Sequence, residues 1–385
     1  GPPMNRLVQG DVGSGKTMLA AYGAWLAAKN GYQCALMAPT ELLAEQHYRS
    51  LAPLLEQAGM RVGLLTGAVK GKARKTVYAA MERGELDLII GTHALLSEGV
   101  AFARLGLVVT DEQHRFGVGQ RAALSAKANG TPHVLVMSAT PIPRTLALII
   151  YGDLDVSVVD ELPPGRSPVE TYVVGEDKRQ RMYNFVRKLV GEGRQAYMVC
   201  PAVEEGEDGE DGQSLDLKAA VSYANTLQTQ VFPDLRVGLV HGKMKSREKE
   251  AVMAAFAAGE LDVLVSTTVI EVGVDVPNAA LMVVENADRF GLSQLHQLRG
   301  RVGRGRHQSY CVLVTATRNP DSRERLRVLS KTNDGFKIAE EDLRLRGPGD
   351  FFGERQHGLP QLSIADLTGD MRVLKQAQGA AGELL

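Results

Sequence analysis

Apolar residues along this chain gather in runs of three to six, separated by stretches long enough for a helix. In the first half the runs are Arg6–Gln9, Cys34–Ala38, Leu86–Ile90, Leu105–Thr110 and His133–Met137. In the second half they are Thr171–Val174, Ala196–Cys200, Arg236–Val240, Val263–Val265, Leu281–Val284 and Tyr310–Thr315. Short continuous apolar runs read as strands buried on both faces, and strands alternating with helix-length segments read as parallel sheets with helices on both sides. The stretch Leu162-Pro163-Pro164-Gly165-Arg166-Ser167-Pro168 breaks the alternation as a linker does. The predicted fold class is therefore α/β, with two parallel-sheet domains of similar build at 1–160 and 166–335 and a further segment at 336–385.

Chemistry enters at the end of the first run. Gly10-Asp11-Val12-Gly13-Ser14-Gly15-Lys16-Thr17 fits the phosphate-loop pattern G-x-x-x-x-G-K-[ST], and the helix formers of Met18–Ala28 follow it. A strand, a glycine turn and a helix N-terminus aim backbone N–H groups at one point. Gly10, Gly13, Ser14, Gly15, Lys16 and Thr17 are thus candidates to hold a nucleotide. Lys16 reaches the β- and γ-phosphates, and the Thr17 hydroxyl faces Mg²⁺. Only the first domain carries such a loop.

Ligands of open parallel sheets collect at the carboxyl ends of the strands. The run Leu105–Thr110 ends in Asp111-Glu112, a pair suited to nucleotide hydrolysis: Asp111 to hold Mg²⁺ and Glu112 to orient and deprotonate the attacking water. Ser138-Ala139-Thr140 ends the run His133–Met137. It is either a polar turn or a hydrogen-bonded link between the acidic pair and movement of the domains. In the second half Gln297-Leu298-Arg299-Gly300-Arg301-Val302-Gly303-Arg304 places Arg301 and Arg304 three apart, on one face at helical spacing. Guanidinium forks onto phosphate, and an arginine donated to a γ-phosphate in transfer contributes roughly 10³–10⁵ in rate.

Composition narrows the picture. A chain of 385 residues exceeds what one core organises, which agrees with two domains. No apolar run approaches the roughly 20 residues of a membrane-spanning helix, and the opening Gly1-Pro2-Pro3 has no secretory pattern; a partner in a membrane is not expected. Cys34, Cys200 and Cys311 are three in number, far apart and within apolar runs, as buried thiols of a reducing cytoplasm are. The net charge of −1 says nothing for nucleic acid, but it is an average. An acidic, glycine-rich block, Glu204–Gly212, offsets the four arginines in the eight residues Arg299–Arg306, and it reads as a solvated, poorly ordered loop.

Together these motifs resemble those of superfamily 2 helicases. Gly10–Thr17, Asp111–His114, Ser138–Thr140 and Gln297–Arg304 are similar to motifs I, II, III and VI; Ala38–Ala44, Gly91–Leu96, Val240–Met244 and Ser266–Asp275 resemble Ia, Ib, IV and V, in the family's order. Within the superfamily, Asp111–Gly117 and Ser138–Leu146 are similar to the RecG family of bacterial branch-migration helicases. The stretch Asp342–Gly358 resembles the motif called TRG, which couples hydrolysis to movement on duplex DNA. The transcription-repair coupling factors share much of this, but Gly347-Pro348-Gly349 and Arg355-Gln356 look more like RecG.

The resemblance implies two RecA-like domains followed by a helical hairpin or loop at the TRG segment. It implies ATP and Mg²⁺ as cofactors and branched double-stranded DNA, such as stalled replication forks and Holliday junctions, as partner. Single-strand DNA-binding protein is a further partner, and the place is the bacterial cytoplasm, at the nucleoid. It gives Lys16, Asp111, Glu112, Gln297, Arg301 and Arg304 to catalysis, and Gly273 and Asp275 to the nucleotide. Thr40, Thr92, Ser138, Thr140, Thr267, Thr268, Arg346, Arg355 and Gln356 fall to DNA contact and coupling. RecG-like proteins carry a large N-terminal region with an oligonucleotide-binding wedge, and an upstream glutamine that reads adenine. Neither is in these 385 residues. A motor of the coupling-factor type and a nucleotide-gated DNA clamp are the alternatives.

Overall fold

A computed structural model describes residues 2–11, 13–112, 118–139, 154–159, 167–201, 210–267 and 276–351; of residues 112, 118–121, 210–216, 246 and 346–351 it describes the backbone alone. The chain divides into two compact units between Pro163 and Pro164.

The first unit runs β1 (Asn5–Gly10), α1 (Lys16–Lys29), β2 (Gln33–Met37), α2 (Glu41–Gln57), β3 (Val62–Leu65), α3 (Gly71–Glu82), β4 (Leu88–Gly91), β5 (Leu105–Glu112), α4 (Val118–Ser125), β6 (His133–Ser138) and β7 (Asp155–Val159). Its strands form one sheet in the order β3-β4-β2-β5-β6-β1-β7, and every pair is parallel. Alternate residues of each strand feed opposite layers, as the pleat requires. Val8, Leu36, Leu107 and Val109 pack with Ala20, Ala24, Leu51 and Leu55 of α1 and α2. Ala35, Met37, Ile89 and Val108 pack on the other face with Met81 of α3 and Leu124 of α4. A Leu or Val buried this way contributes about 1.5–3 kcal/mol, so the central strands are the part of the unit least free to shift.

The second unit contains β8 (Glu170–Val174), β9 (Gln195–Cys200), β10 (Val237–Val240), β11 (Val263–Thr267), β12 (Ala279–Val284) and β13 (Tyr310–Val314), in the parallel order β10-β11-β9-β12-β13-β8. Its core mirrors the first: Tyr197, Val199, Leu264 and Met282 face one layer, and Ala196, Met198, Val263 and Leu281 the other.

The two units share an order of strands and also individual hydrogen bonds. Gln33 at the start of β2 donates its amide to the Met81 and Leu86 carbonyls; Gln195 at the start of β9 donates to those of Phe256 and Leu261. Arg61 grips Asp87 through its backbone and side chain, and Arg236 grips Asp262 in the same way. The peptides Gly84-Glu85-Leu86-Asp87 and Gly259-Glu260-Leu261-Asp262 repeat each other where these contacts form.

The α/β expectation holds, and every strand foreseen is present within a residue or two. Two were not foreseen. β3 and β7 are the sheet's edges; Gly63 interrupts one and Ser157 the other, so neither makes a continuous apolar run. At the other end the helix Gly335–Phe351 continues through Gly347-Pro348-Gly349 and packs in the second unit near the helix Leu292–Arg299. Residues 204–209 of the acidic block lie outside the described residues, and residues 210–212, expected in a loop, open the helix Glu210–Thr226.

Cys34, Cys200 and Cys311 are all reduced and buried. Burial pushes the Cys34 thiol far above its ordinary value and that of Cys311 up to about 12, which withholds the reactive thiolate. The native chain is expected to leave a thiol reagent at pH 8 unconsumed and to react at all three cysteines once unfolded in guanidinium. Rapid native labelling would contradict this packing.

Candidate functional site

The end of β1 turns into α1 through two glycines in the left-handed region, Gly13 at φ 84° and Gly15 at φ 93°, where a side chain costs about 1–2 kcal/mol. Gly10 is required for a different reason: a Cβ there would sit 2.6 Å from Ser14 Oγ and 3.0 Å from the Val159 carbonyl. The turn brings Lys16, the first residue of α1, back over the loop. Its ammonium donates to the Gly10 carbonyl at 2.5 Å, the Asp11 carbonyl at 2.7 Å and Ser14 Oγ at 3.2 Å. Lys16 is only 8% exposed. Desolvation lowers its pKa to about 8, against the pull of Asp111 and Asp11 in the opposite direction. A buried cation with so many acceptors beside it, at the head of a 14-residue helix, suits an anion that would exchange those carbonyls for phosphate oxygens.

Asp111 leaves β5 on the face that α1 and α2 cover, since Leu107 and Val109 on the same side pack there. Its Oδ2 lies 2.7 Å from Nε2 of His47 in α2. Glu112 pairs in register with Ser138 of β6, which pairs with Gln9 of β1. Motifs I, II and III are thereby adjacent at one edge of the sheet. Ser138, Gln9 and Thr110 are buried there, and neither polar atom of the Gln9 side chain finds a partner among the described residues. Sequence reasoning missed both His47 and Gln9. His47 follows Ala44 and precedes Leu51 on the buried stripe of α2, so a polar residue within an apolar period was the available signal.

The remaining candidates separate. Thr40 is exposed and caps α2, accepting from the Leu43 N–H at 3.3 Å. Thr92 is buried, and its hydroxyl accepts from the Ala94 N–H at the turn His93–Leu96. Thr267 ends β11 and is buried. Thr140, Thr268, Gly273, Asp275, Arg355 and Gln356 lie outside the described residues, as do the side chains of Glu112 and Arg346. Gln297 sits in the helix Leu292–Arg299, which is then capped by Gly300. Gly303 at φ 79° turns the chain again. Arg301 and Arg304 therefore do not share a helical face as expected; they flank a glycine turn, and Arg304 Nε donates to the Gly300 carbonyl at 3.1 Å. Arg299, counted with the basic cluster, is buried and structural: it donates to the Leu329 and Thr332 carbonyls.

In the second sheet Glu285 holds the place that Asp111 holds in the first. Val199 pairs with Val284, as Met37 pairs with Thr110, and the acidic residue comes next. Glu285 is taken up internally: Arg179 donates to both its oxygens at 2.8 Å and Tyr223 to one at 2.5 Å. Burial and the neighbouring carboxylate push the Tyr223 hydroxyl far upward. An ion pair fills the position that an open loop and a lysine occupy in the first unit. A separate apolar cavity of about 940 Å³ in the first unit, lined by Met4, Leu19, Tyr22, Leu26, Leu105 and Leu135, opens toward the amino ends of the strands and holds none of the motif residues. No cluster of metal-ligating side chains occurs among the described residues, and no described helix is long and apolar enough to cross a membrane.

Two tandem parallel-sheet units, with a phosphate loop and a strand-end acidic pair in the first and an arginine turn in the second, define the helicase class. Residues 3–149 match the DEAD/DEAH box helicase model and 177–306 the helicase conserved C-terminal domain. Residues 332–385 match domain 3, C-terminal, of the ATP-dependent DNA helicase RecG. The ATP-dependent DNA helicase RecG of Synechocystis sp. is 56% identical over 100% of this chain and 45% of its own length, and that of Bacillus subtilis 53% identical over 99% and 55%. The solved structure of RecG bound to a three-way DNA junction superposes with a TM-score of 0.77 at 47% identity, over 97% of this chain and 48% of that one. Dbp5 of S. cerevisiae bound to RNA and ADP BeF3, at 16% identity and a TM-score of 0.58, shares the fold. The chain belongs to the RecG family and spans about half the length of the curated relatives it matches.

The depressed Lys16 pKa fixes a sign. Between about 8 and the ordinary 10.5 the unfolded chain still carries this proton and the folded chain does not, so the lysine's burial penalty fades as pH rises through that window. Lys16→Met is expected to exceed the parent in urea midpoint at pH 7, with the gap narrowing by pH 10. A gap that widens would contradict the burial of this ammonium.

Proposed function

We propose that this chain is the motor portion of an ATP-dependent double-stranded DNA translocase that remodels stalled forks and Holliday junctions in repair and recombination. The observation that carries the proposal is the meeting of Lys16 and Asp111 at one carboxyl edge, on a loop whose glycines leave its backbone open. ATP and Mg²⁺ fit this edge: Gly10, Gly13, Ser14, Gly15 and Lys16 would hold the phosphates, and Thr17 and Asp111 the ion. Bound Mg²⁺ would supply charge to the phosphate oxygens. Glu112 holds the attacking water and takes its proton. Gln297, Arg301 and Arg304, with Gly273 and Asp275, complete the nucleotide site on its γ-phosphate and ribose sides.

Thr40 and Thr267, with Thr92, Thr140, Thr268 and Ser138, serve backbone contact and its link to hydrolysis. Such contacts read shape rather than base sequence. Arg346, Arg355 and Gln356 couple hydrolysis to movement. Branched DNA is the substrate, single-strand DNA-binding protein a partner, and the nucleoid the place of action. These 385 residues hydrolyse ATP and bind duplex DNA weakly.

The decisive comparison is the parent with Glu112→Gln. ATP hydrolysis by the parent is expected to rise on adding duplex DNA and to weaken with salt. Glu112→Gln is expected to bind ATP, lose at least about a hundredfold in turnover and stall on duplex. A variant that keeps displacing a triplex strand would contradict the motor, and a parent indifferent to DNA would contradict the substrate.

A further inference from the structure

Helix α2 buries Ala44, His47, Leu51, Ala52 and Leu55, a stripe at the three-and-four spacing of a core-facing helix. His47 is its polar member and falls where the stripe passes the carboxyl edge of the sheet. It is 9% exposed. Its Nε2 meets Asp111 Oδ2 at 2.7 Å, a short contact between partly buried groups. An ionised carboxylate only accepts, so Nε2 carries the hydrogen and donates it. One oxygen of Asp111 is thus committed to α2, while the carboxylate also acts electrostatically on Lys16 of the phosphate loop.

The same helix begins at Thr40, whose exposed hydroxyl accepts from the Leu43 N–H. From Thr40 to His47 is about 10 Å along a rigid rise of 1.5 Å per residue. Any displacement of the α2 N-terminus therefore reaches Asp111 through one helix and one hydrogen bond, all within the first unit.

We propose that His47 is a positioning residue: by donating to Asp111 it ties the carboxylate assigned to Mg²⁺ to the helix whose N-cap meets the DNA backbone, so that DNA engagement sets the orientation of the Mg²⁺ site. This rests on the nucleotide and DNA roles proposed above. A histidine kept only to fill the core would affect stability and leave the response to Mg²⁺ and DNA alone. A positioning histidine would affect that response in a manner restored by another donor of similar reach.

The test uses the 385-residue chain as parent, His47→Leu and His47→Gln. Binding of a fluorescent ATP analogue is titrated with Mg²⁺, with and without duplex DNA, and thermal midpoints are recorded alongside. In the parent, DNA is expected to lower the Mg²⁺ concentration at half-saturation. His47→Leu is expected to need roughly ten times more Mg²⁺ and to lose the DNA effect. His47→Gln, whose amide nitrogen reaches as far as Nε2, is expected to recover it. If His47→Leu does not fold, His47→Asn replaces it, its amide being one methylene too short, with the same expected loss. Retention of the full DNA effect in His47→Leu or His47→Asn would overturn the coupling role. A parent that binds the analogue without any Mg²⁺ or DNA dependence would overturn the underlying functional assignment, and this role with it.

Discussion

In a parallel sheet every strand delivers its last residue to the same edge, and the rest of this molecule depends on that constraint. β1, β5 and β6 lie side by side in the first sheet although far apart in the chain. Their ends therefore bring the phosphate loop, the acidic pair and Ser138 together without any dedicated scaffold. The hydrophobic layers on both faces hold that register, because a slip of one residue would exchange the two cores. Lys16 is buried and Asp111 restrained as consequences: the edge is roofed by α1 and α2, and these two groups find partners under that roof.

The second unit shows what the same edge becomes without an open loop. It repeats the strand order and the amide and guanidinium contacts at the amino ends, Gln33 with Gln195 and Arg61 with Arg236. The carboxyl ends diverge. Glu285 is paired with Arg179 and hydrogen-bonded by Tyr223 inside the unit, and Arg301 and Arg304 follow the helix Leu292–Arg299 in a glycine turn. The bonds at the amino ends of the strands recur in both units, and those at the carboxyl ends do not. An internal ion pair of this kind is costly to break from one side, so loss of Arg179 alone would leave Glu285 a buried carboxylate without its cation.

Much of this was legible from the chain. Central strands announced themselves because burial on both faces demands continuous apolar runs, and the phosphate loop because left-handed turns demand glycine at fixed places. Edge strands β3 and β7 did not, since one side of each lacks a neighbour and tolerates Gly63 or Ser157. The helical spacing of Arg301 and Arg304 misled because Gly300 caps the helix before either arginine and Gly303 turns the chain between them, a case where the glycines carried more information than the interval. His47 and Gln9 were invisible as functional candidates because their meaning comes from strands or helices distant in sequence. A polar residue in an apolar stripe is a signal only once its partner is known.

The central claim is that the carboxyl edge of the first unit takes Mg²⁺ and the phosphates of ATP. A crystal structure of the chain with Mg²⁺, ADP and a fluoride mimic of the transferring phosphoryl group tests it most directly. The account predicts Lys16 Nζ on phosphate oxygens in place of the Gly10 and Asp11 carbonyls, Asp111 at the ion directly or through water, and His47 still on Asp111. A nucleotide bound elsewhere, with Lys16 unmoved from its own loop, would contradict it.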